Sequence, residues 1–356
     1  ATSNVATRNI VGALAVGLGG GGFGAAVGYT DVDQTITAKA TGGSLTTPTL
    51  SIAASAGDES GSHAAESWGI AGAGGLYVGI GAAVGESNVD NTIVAELGST
   101  TDGGSTGAAS GTIAVSATDA SSLASYGYGF GAGAAAVGLS LGFSNKKSSV
   151  TADFAPSTSV TNFANVAIGA SGSGNVAATT YAGAAGIASG AGASAQASDN
   201  ETIVADIGHN ASVSAAVAGV LVNATAAPDV STTSYGVAVG GVGMGASVAE
   251  STAAVNVSAY VDHDSTISGG GLTITASALL PGSGHTAHAY AVAAGGGTLF
   301  GGQATYVDAE DNSNVTAYGG TGLHLPSANV TIAAENDTNQ LSEALGVAAG
   351  WIGVGA

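Results

Sequence analysis

Acidic residues recur in short groups, and these groups are the side chains of this sequence best suited to bind a metal ion. They comprise Asp31, Asp33, Asp90, Asp199, Glu201, Asp308, Glu310 and Asp311. Each group precedes the same point of an internal repeat, so we expect the groups to stack along one edge of the fold. Oxygen ligands grouped in this way could bind Ca²⁺. The alternative is a row of solvated turn residues that keeps the surface soluble.

Two glycine-rich strings match catalytic or nucleotide-binding motifs, but without the required context. The Gly-x-Ser-x-Gly string at 103–107 lies in a Gly/Ser loop, whereas a nucleophile elbow needs a strand-to-helix turn and Asp and His partners. The string at 17–22 fits a dinucleotide fingerprint, yet no βαβ unit follows it. The six histidines fall at different places in their repeats, which favours surface turns. We therefore predict no enzyme, no catalytic residue and no cofactor apart from the calcium hypothesis.

Charge and composition exclude several classes of protein. The chain has 356 residues, with 4 Lys or Arg against 24 Asp or Glu, which gives a net charge of −20. So few basic residues leave no cationic surface for nucleic acid. The absence of Cys excludes disulfides, thiolate metal sites and Cys nucleophiles. The uncharged stretch 120–145 is too rich in Gly to form a good helix, so we predict no transmembrane segment.

Two hydrophobic anchors recur with a period of about 55 residues. The first is a β-branched residue followed two positions on by Ala, at Ile36, Ile93, Val150, Ile203, Val257 and Val315. The second opens an alternating segment at Leu50, Ile113, Val166, Val220, Leu272 and Val330. Alternation with period two indicates half-buried strands, and the intervening residues are turn formers.

A third anchor is an aromatic residue that opens a Gly/Ala run, at Trp68, Tyr128, Tyr181, Tyr235 and Tyr290. With this anchor the chain divides into one continuous array of six repeats, at about 10–67, 68–127, 128–180, 181–234, 235–289 and 290–345, followed by a truncated seventh. Because the array begins and ends inside a repeat, we expect a fragment of a longer chain.

Repeats of short strands must stack to bury a core, so the sequence predicts an all-β β-solenoid with almost no helix. A repeat of this length makes either two coils of about 27 residues or one wide coil. We favour two coils.

The Gly/Ala runs carry small or apolar residues at both parities, as in residues 235–249. This pattern predicts strands with both faces buried. One interpretation is an inner wall packed within its own solenoid. The other is a flat apolar strip that docks on another copy, with the five aromatic residues of the third anchor as assembly candidates.

The repeat style, with YGVAVGGVGMGASVA followed by NVSAYV and GGGLTITASA, resembles the large leukotoxin-type, filamentous-haemagglutinin-like surface adhesins of bacteria. The resemblance is one of repeat texture and covers the whole chain. It implies a secreted, cell-surface β-solenoid fibre used in adhesion, biofilm or matrix. It carries over no catalytic residue.

The leading hypothesis for function is therefore a structural or adhesive extracellular fibre. Its expected partners are further copies of the chain and host or matrix glycans. One alternative is a silk-like or ice-binding material protein. Ice-binding solenoids present regular Thr-x-Thr rows on a flat face, and Thr35-Ile-Thr37 is only a short match to that pattern. The other is a β-helical carbohydrate-active enzyme, which normally gathers carboxylates with Arg or Lys in one groove.

Overall fold

The chain folds almost entirely into β-strands. The computed structural model describes residues 1–59, 61–103, 111–326 and 329–356, and 82% of these residues are in strands and none is in a helix. Within these ranges, no helix is long and apolar enough to cross a membrane. The Gly-x-Ser-x-Gly string lies outside the described residues except for Gly103.

Twenty-one strands follow one another along the described chain. They are β1 Thr2–Val5, β2 Thr7–Gly17, β3 Gly21–Thr46, β4 Thr49–Asp58, β5 Ala65–Gly75, β6 Val78–Asp102, β7 Thr112–Ala120, β8 Leu123–Ala132, β9 Ala135–Lys146, β10 Ser149–Phe154, β11 Ser159–Asp199, β12 Thr202–Ile207, β13 Ser212–Ala253, β14 Asn256–Val261, β15 Thr266–Gly269, β16 Leu272–Ala278, β17 Ala287–Asp311, β18 Asn314–Gly319, β19 Val330–Asn336, β20 Gln340–Ala349 and β21 Ile352–Gly355.

Each strand pairs in parallel with its counterpart in the neighbouring repeat. In β10, Val150 lies beside Ile93 of β6 on one side and beside Ile203 of β12 on the other. The paired positions are therefore one whole repeat apart, and each repeat contributes one layer. The preferred expectation of two coils per repeat is wrong. The resulting long parallel sheet of many strands is consistent with a β-helix or solenoid.

The registers predicted for the first two anchors are confirmed. The first-anchor residues lie side by side through six successive layers, from Ile36 to Val315. The second-anchor residues do the same from Leu50 to Val330. We call such a set of residues, placed side by side in successive layers, a column.

The two anchors build the main core, in a part of each layer that we call the thick lobe. Ile93, Val150 and Ile203 from the first anchor belong to one buried cluster with Ile113 and Val166 from the second. These side chains are almost completely buried. Since full burial of one such side chain contributes about 1.5–3 kcal/mol, repetition over the layers makes this lobe the main source of stability.

The Gly/Ala runs form a second part of each layer, which we call the thin arm. An outgoing strand, such as β8, is followed by a short turn and a return strand, such as residues 135–144 of β9. A Cβ on Gly129 would collide with the carbonyl oxygen of Leu139, and one on Gly131 with that of Val137. The two strands therefore face each other at a separation that only glycine tolerates at these points.

Candidate interaction surface

Buried hydroxyl groups tie the two strands of the thin arm together. Ser87 donates to the carbonyl oxygen of Ala124 at 2.7 Å, and Ser144 donates to that of Ala177 at 2.6 Å. Ser247 and Ser251 make equivalent bonds to Val292 and His288. Each acceptor lies on the outgoing strand of the next layer. Since a net contribution of about 0.5–1.5 kcal/mol per bond is usual, these serines stabilise the arm where its core is thinnest.

The outward side of the outgoing strands is an apolar surface, which we call the front face. It comprises three columns over seven strands: Gly12, Ile70, Tyr128, Tyr181, Tyr235, Val292 and Leu345; Leu14, Gly72, Phe130, Gly183, Val237, Ala294 and Val347; and Val16, Gly74, Ala132, Ala185, Val239, Gly296 and Ala349. No charged residue occurs among them, and the only polar atoms of their side chains are three tyrosine hydroxyls.

The front face is open to solvent, as is the tip of the arm. Leu14 is 82% exposed, and Leu18 and Trp351 at the tip are 92% and 89% exposed. A single chain therefore buries only one of the two faces that the sequence predicts to be buried. The inner face is packed, as the inner-wall interpretation predicts, but the outer face has no covering in a single chain. Docking on another copy stays a prediction.

An aromatic ladder runs along the base of the front face. Tyr128, Tyr181 and Tyr235 form one column, with ring centroids 5.2 and 4.7 Å apart. Trp68 pairs with Tyr126, and Tyr290 pairs with Thr233, so both lie two residues away from the predicted register. They still join the ladder, because Trp68 stacks on Tyr128 with ring centroids 5.8 Å apart and Tyr290 meets Tyr235 edge-on.

The ladder covers the ring faces that a sugar would need. Tyr181 has a ring on each side, and Trp68 lies between Tyr126 and the guanidinium of Arg8, which is 5.5 Å from its centroid. Stacking leaves mainly ring edges and hydroxyl groups facing outward. This arrangement gives the ladder a structural role and offers little surface for stacking a glycan.

The predicted acidic edge divides into an outer and an inner set. Asp31, Asp33 and Asp90 are exposed, with Asp33 beside Asp90 in the next layer. Asp308 lies beside Glu250, and Glu310 beside Thr252. Asp199 and Glu201 instead lie completely inside the molecule, and Asp311 is in the same inward column as Asp199.

Two of the inner acids, Asp199 and Glu201, belong to a buried charged cluster. Lys146 Nζ lies 2.8 Å from Glu201 Oε1 and donates to the carbonyl oxygen of Ser173 at 2.6 Å. Asp119 is equally buried and accepts bonds from the side chain of Asn91 and the backbone of Ser121. No side chain donates a hydrogen bond to either carboxylate oxygen of Asp199 in the described chain. One lysine therefore serves three buried carboxyl groups.

This imbalance shifts the pKa values of the cluster. Burial raises the pKa of Asp199 to about 6 and that of Glu201 well above its ordinary value, and the positive charge of Lys146 offsets only part of this. Burial by itself would lower the pKa of Lys146, but Glu201, Asp119 and Asp199 hold it above its usual range. The lysine stays charged while the surrounding carboxyl groups retain protons more strongly than they would in water.

A second acidic column escaped the sequence analysis. Glu96, Asp153 and Asp206 lie side by side on the outward face of the first-anchor strands, and Lys39 bonds Glu96 at 2.6 Å at one end. Burial, followed by the neighbouring carboxylates, raises the pKa of Asp153 to about 6 and that of Asp206 to about 7. The sequence contains the pattern that predicts this column, because each of the three acids follows its first-anchor residue by three positions.

The ionisable groups of the described residues do not assemble a metal centre. Over the described part of the chain, no group of three or more His, Asp or Glu residues is arranged to hold a metal ion. A shallow groove lined by Asn145, Gln196 and Glu250 contains a single carboxylate, that of Glu250. The side-chain amide of Gln196 donates a hydrogen bond to this carboxylate at 2.6 Å. Glycoside hydrolysis generally needs two carboxyl groups across a groove. None of the six histidines is buried, but His288 lies in strand β17 and not in a turn as predicted.

Searches of protein families, curated proteins and solved structures find no match to this chain.

Proposed function

We propose that the chain is a segment of an extracellular structural or adhesive fibre, built as a six-repeat solenoid with one wide coil per repeat. The observation that carries the proposal is the parallel pairing of each repeat with the next, interrupted only locally by shifts in register. Strand β13 pairs with β11 in a constant register from Val220 through Tyr235 to Gly240. Its pairing with β17 in the following layer continues beyond Gly240 after one shift in register. Stacking of this kind can be extended by further layers of the same design.

The proposed role is to provide length and stiffness. Parallel strands lie about 4.8 Å apart, so each repeat of this size adds only that increment along the axis. A long array of such layers would resist bending, because every layer is joined to the next by backbone bonds in both the thick lobe and the thin arm. Adhesion would come from many weak contacts repeated along the fibre, since multivalency multiplies modest affinities.

The location outside a bacterial cell and the absence of enzymatic activity are parts of the same proposal. The repeat-texture resemblance supports the first. The single carboxylate of the groove near Glu250 supports the second. Host or matrix glycans remain proposed partners, bound through exposed polar columns and not through ring stacking on the aromatic ladder.

A material protein that binds ice is the second candidate, and one observation favours it. Thr35, Thr92, Ser149 and Thr202 form a single exposed column of hydroxyl groups. The next two layers carry Asn256 and Asn314 in the same column. Thermal hysteresis of the purified chain would support this candidate, and normal freezing behaviour would remove it.

The fibre proposal is tested by electron microscopy and X-ray diffraction of native material that contains this chain. We expect long filaments of uniform width, with an axial reflection near 4.8 Å. Isolated globular particles of the full-length protein, or filaments whose strands run along the axis, would refute the proposal.

A further inference from the structure

We propose that the front face is a docking surface for the front face of a second copy of this chain, so that fibres associate laterally in pairs. This inference rests on the proposed function and names the partner. The starting observation is that the front face has no charged group in any of its three columns, although the whole chain carries a net charge of −20.

The size of the front face matches that of a stable interface. With strands about 4.8 Å apart and outward residues about 6.8 Å apart, three columns over seven strands cover roughly 700 Å². A specific protein interface buries about 800 Å² per partner, and the largest apolar patch of an ordinary monomer is about 300–600 Å². A longer array would extend the same strip, so the interface would grow with the number of layers.

The front face is also flat. In its middle column, large and small residues alternate from Leu14 to Val347. The large side chains lean over the glycines beside them: Leu14 Cδ1 is 3.0 Å from where a Cβ on Gly72 would be, and Phe130 is 2.8 Å from that position on Gly183. Covering each glycine in this way evens out the height of the surface, which suits sheet-on-sheet contact.

Periodicity and the small size of many side chains favour a second copy over a lipid surface. Another copy has the same spacing between layers, so the strands of two front faces can stay aligned over successive layers. The nearest charged groups, Arg8, Glu66 and Glu343, lie towards the base of the arm, outside the three columns. Lipid packing would gain little from a strip in which glycine and alanine occupy nine of the 21 positions.

The test compares two substitutions at equally exposed apolar residues. Val237 lies in the middle column of the front face and Leu221 lies on the thick lobe, and both are 40% exposed. Sedimentation velocity of the 356-residue chain should show concentration-dependent association that Val237→Glu weakens at least about tenfold, because it places an unpaired charge in an apolar contact. Leu221→Glu should leave association unchanged. Circular dichroism confirms folding, and the neutral Val239→Gln serves as a second front-face variant.

Three results would overturn the inference. The first is a wild-type chain that stays monomeric at all concentrations. The second is an equal effect of Val237→Glu and Leu221→Glu. The third is binding to phosphatidylcholine vesicles, abolished by Val237→Glu, in a chain that does not self-associate. Failure of the fibre proposal is distinguishable: unpaired filaments of single width refute only the docking surface, whereas Val237-dependent dimers without filaments refute only the fibre.

Discussion

At the scale of single residues, Lys146 shows how an inward position changes the meaning of a charge. In the sequence it stands with Asn145 and Lys147 at a polar turn. In the structure its column also contains Val32 and Val89, both inward-facing, so Lys146 enters the interior beside Asp199. Buried ion pairs are expensive to desolvate, and their best-attested role is to specify register. In this stack the pair distinguishes the layers of the third and fourth repeats from the others.

Replacing Lys146 should destabilise the chain strongly. Lys146→Met removes the cation that compensates Asp119, Asp199 and Glu201, and we expect the free energy of unfolding to fall by about 3–5 kcal/mol. Lys147→Met is the matched control, because Lys147 is the next residue in the sequence and its side chain is exposed. Urea denaturation measures both. Equal stability of the two variants would show that the cluster does not need its lysine.

The outward acidic column should make stability depend on pH. The pKa of Asp206 is raised to about 7 and that of Asp153 to about 6, both above the value near 4 expected in the unfolded chain. The folded state therefore binds these protons more tightly than the unfolded state does. The stabilisation that comes from protonated Asp153 and Asp206 is complete below about pH 4 and is lost as pH rises towards 7.

Asp206→Asn should therefore raise the midpoint temperature of unfolding at pH 8 and change it little at pH 4. The midpoint temperature of this variant should then depend less on pH between these values than that of the wild type. Asp262→Asn is the control of opposite sign, because hydrogen bonds from His263 lower the pKa of Asp262. Thermal unfolding monitored across this range gives the comparison. A profile of Asp206→Asn that runs parallel to that of the wild type would contradict the assignment.

At the scale of elements, the strands of the thin arm need glycine at inward-facing positions and tolerate larger residues at outward-facing positions. Gly129 faces the backbone of the return strand, whereas a Cβ on Gly74 would meet nothing within 4 Å. The same residue type thus has two different roles in one surface. Inward glycines permit the close approach of two sheets, and outward glycines shape the front face.

Gly129→Ala should accordingly lower stability by about 1–3 kcal/mol, because the added methyl group overpacks the arm. Gly74→Ala should be neutral or slightly stabilising, since it reduces the entropy of the unfolded chain at no steric cost. Chemical denaturation of the two variants provides the measurement. A stable Gly129→Ala variant would mean that the two strands of the arm can separate without penalty.

At the scale of the whole molecule, charge is segregated from the apolar surface. The outer acids surround the base of the arm and the first-anchor strands, while the front face and the tip carry none. This segregation explains how a chain of net charge −20 can still present a large uncharged strip. It also bears on the calcium hypothesis, because acids arranged as single-file columns present few ligands to one ion.

We expect chelation to leave the whole molecule unaffected. Asp33 and Asp90 lie in adjacent layers but have no third carboxylate arranged with them in the described ranges. Ca²⁺ takes six to eight oxygen ligands, which such a pair does not supply. The midpoint of thermal unfolding should therefore be the same with EDTA as with added calcium. A rise with calcium that Asp90→Asn removes would restore the calcium site.

The sequence alone determined the strand type, the repeat and the register of two anchors. Alternating β-branched residues such as Ile93 and Val150 can bury only one face, and their constant spacing requires them to stack. The sequence also located the Gly/Ala runs and the aromatic residues. Local patterning suffices for these features, because each follows from the period-two geometry of a strand.

Only the tertiary structure decided which surfaces are covered. The number of layers per repeat, the burial of Lys146 with Glu201, and the exposure of the front face depend on which strands face each other across the layer. That choice is made by backbone contacts such as Gly129 against Leu139, between residues whose sequence neighbourhoods look alike. Small side chains carry little periodic signal, so their inward or outward direction is fixed by packing and not by pattern.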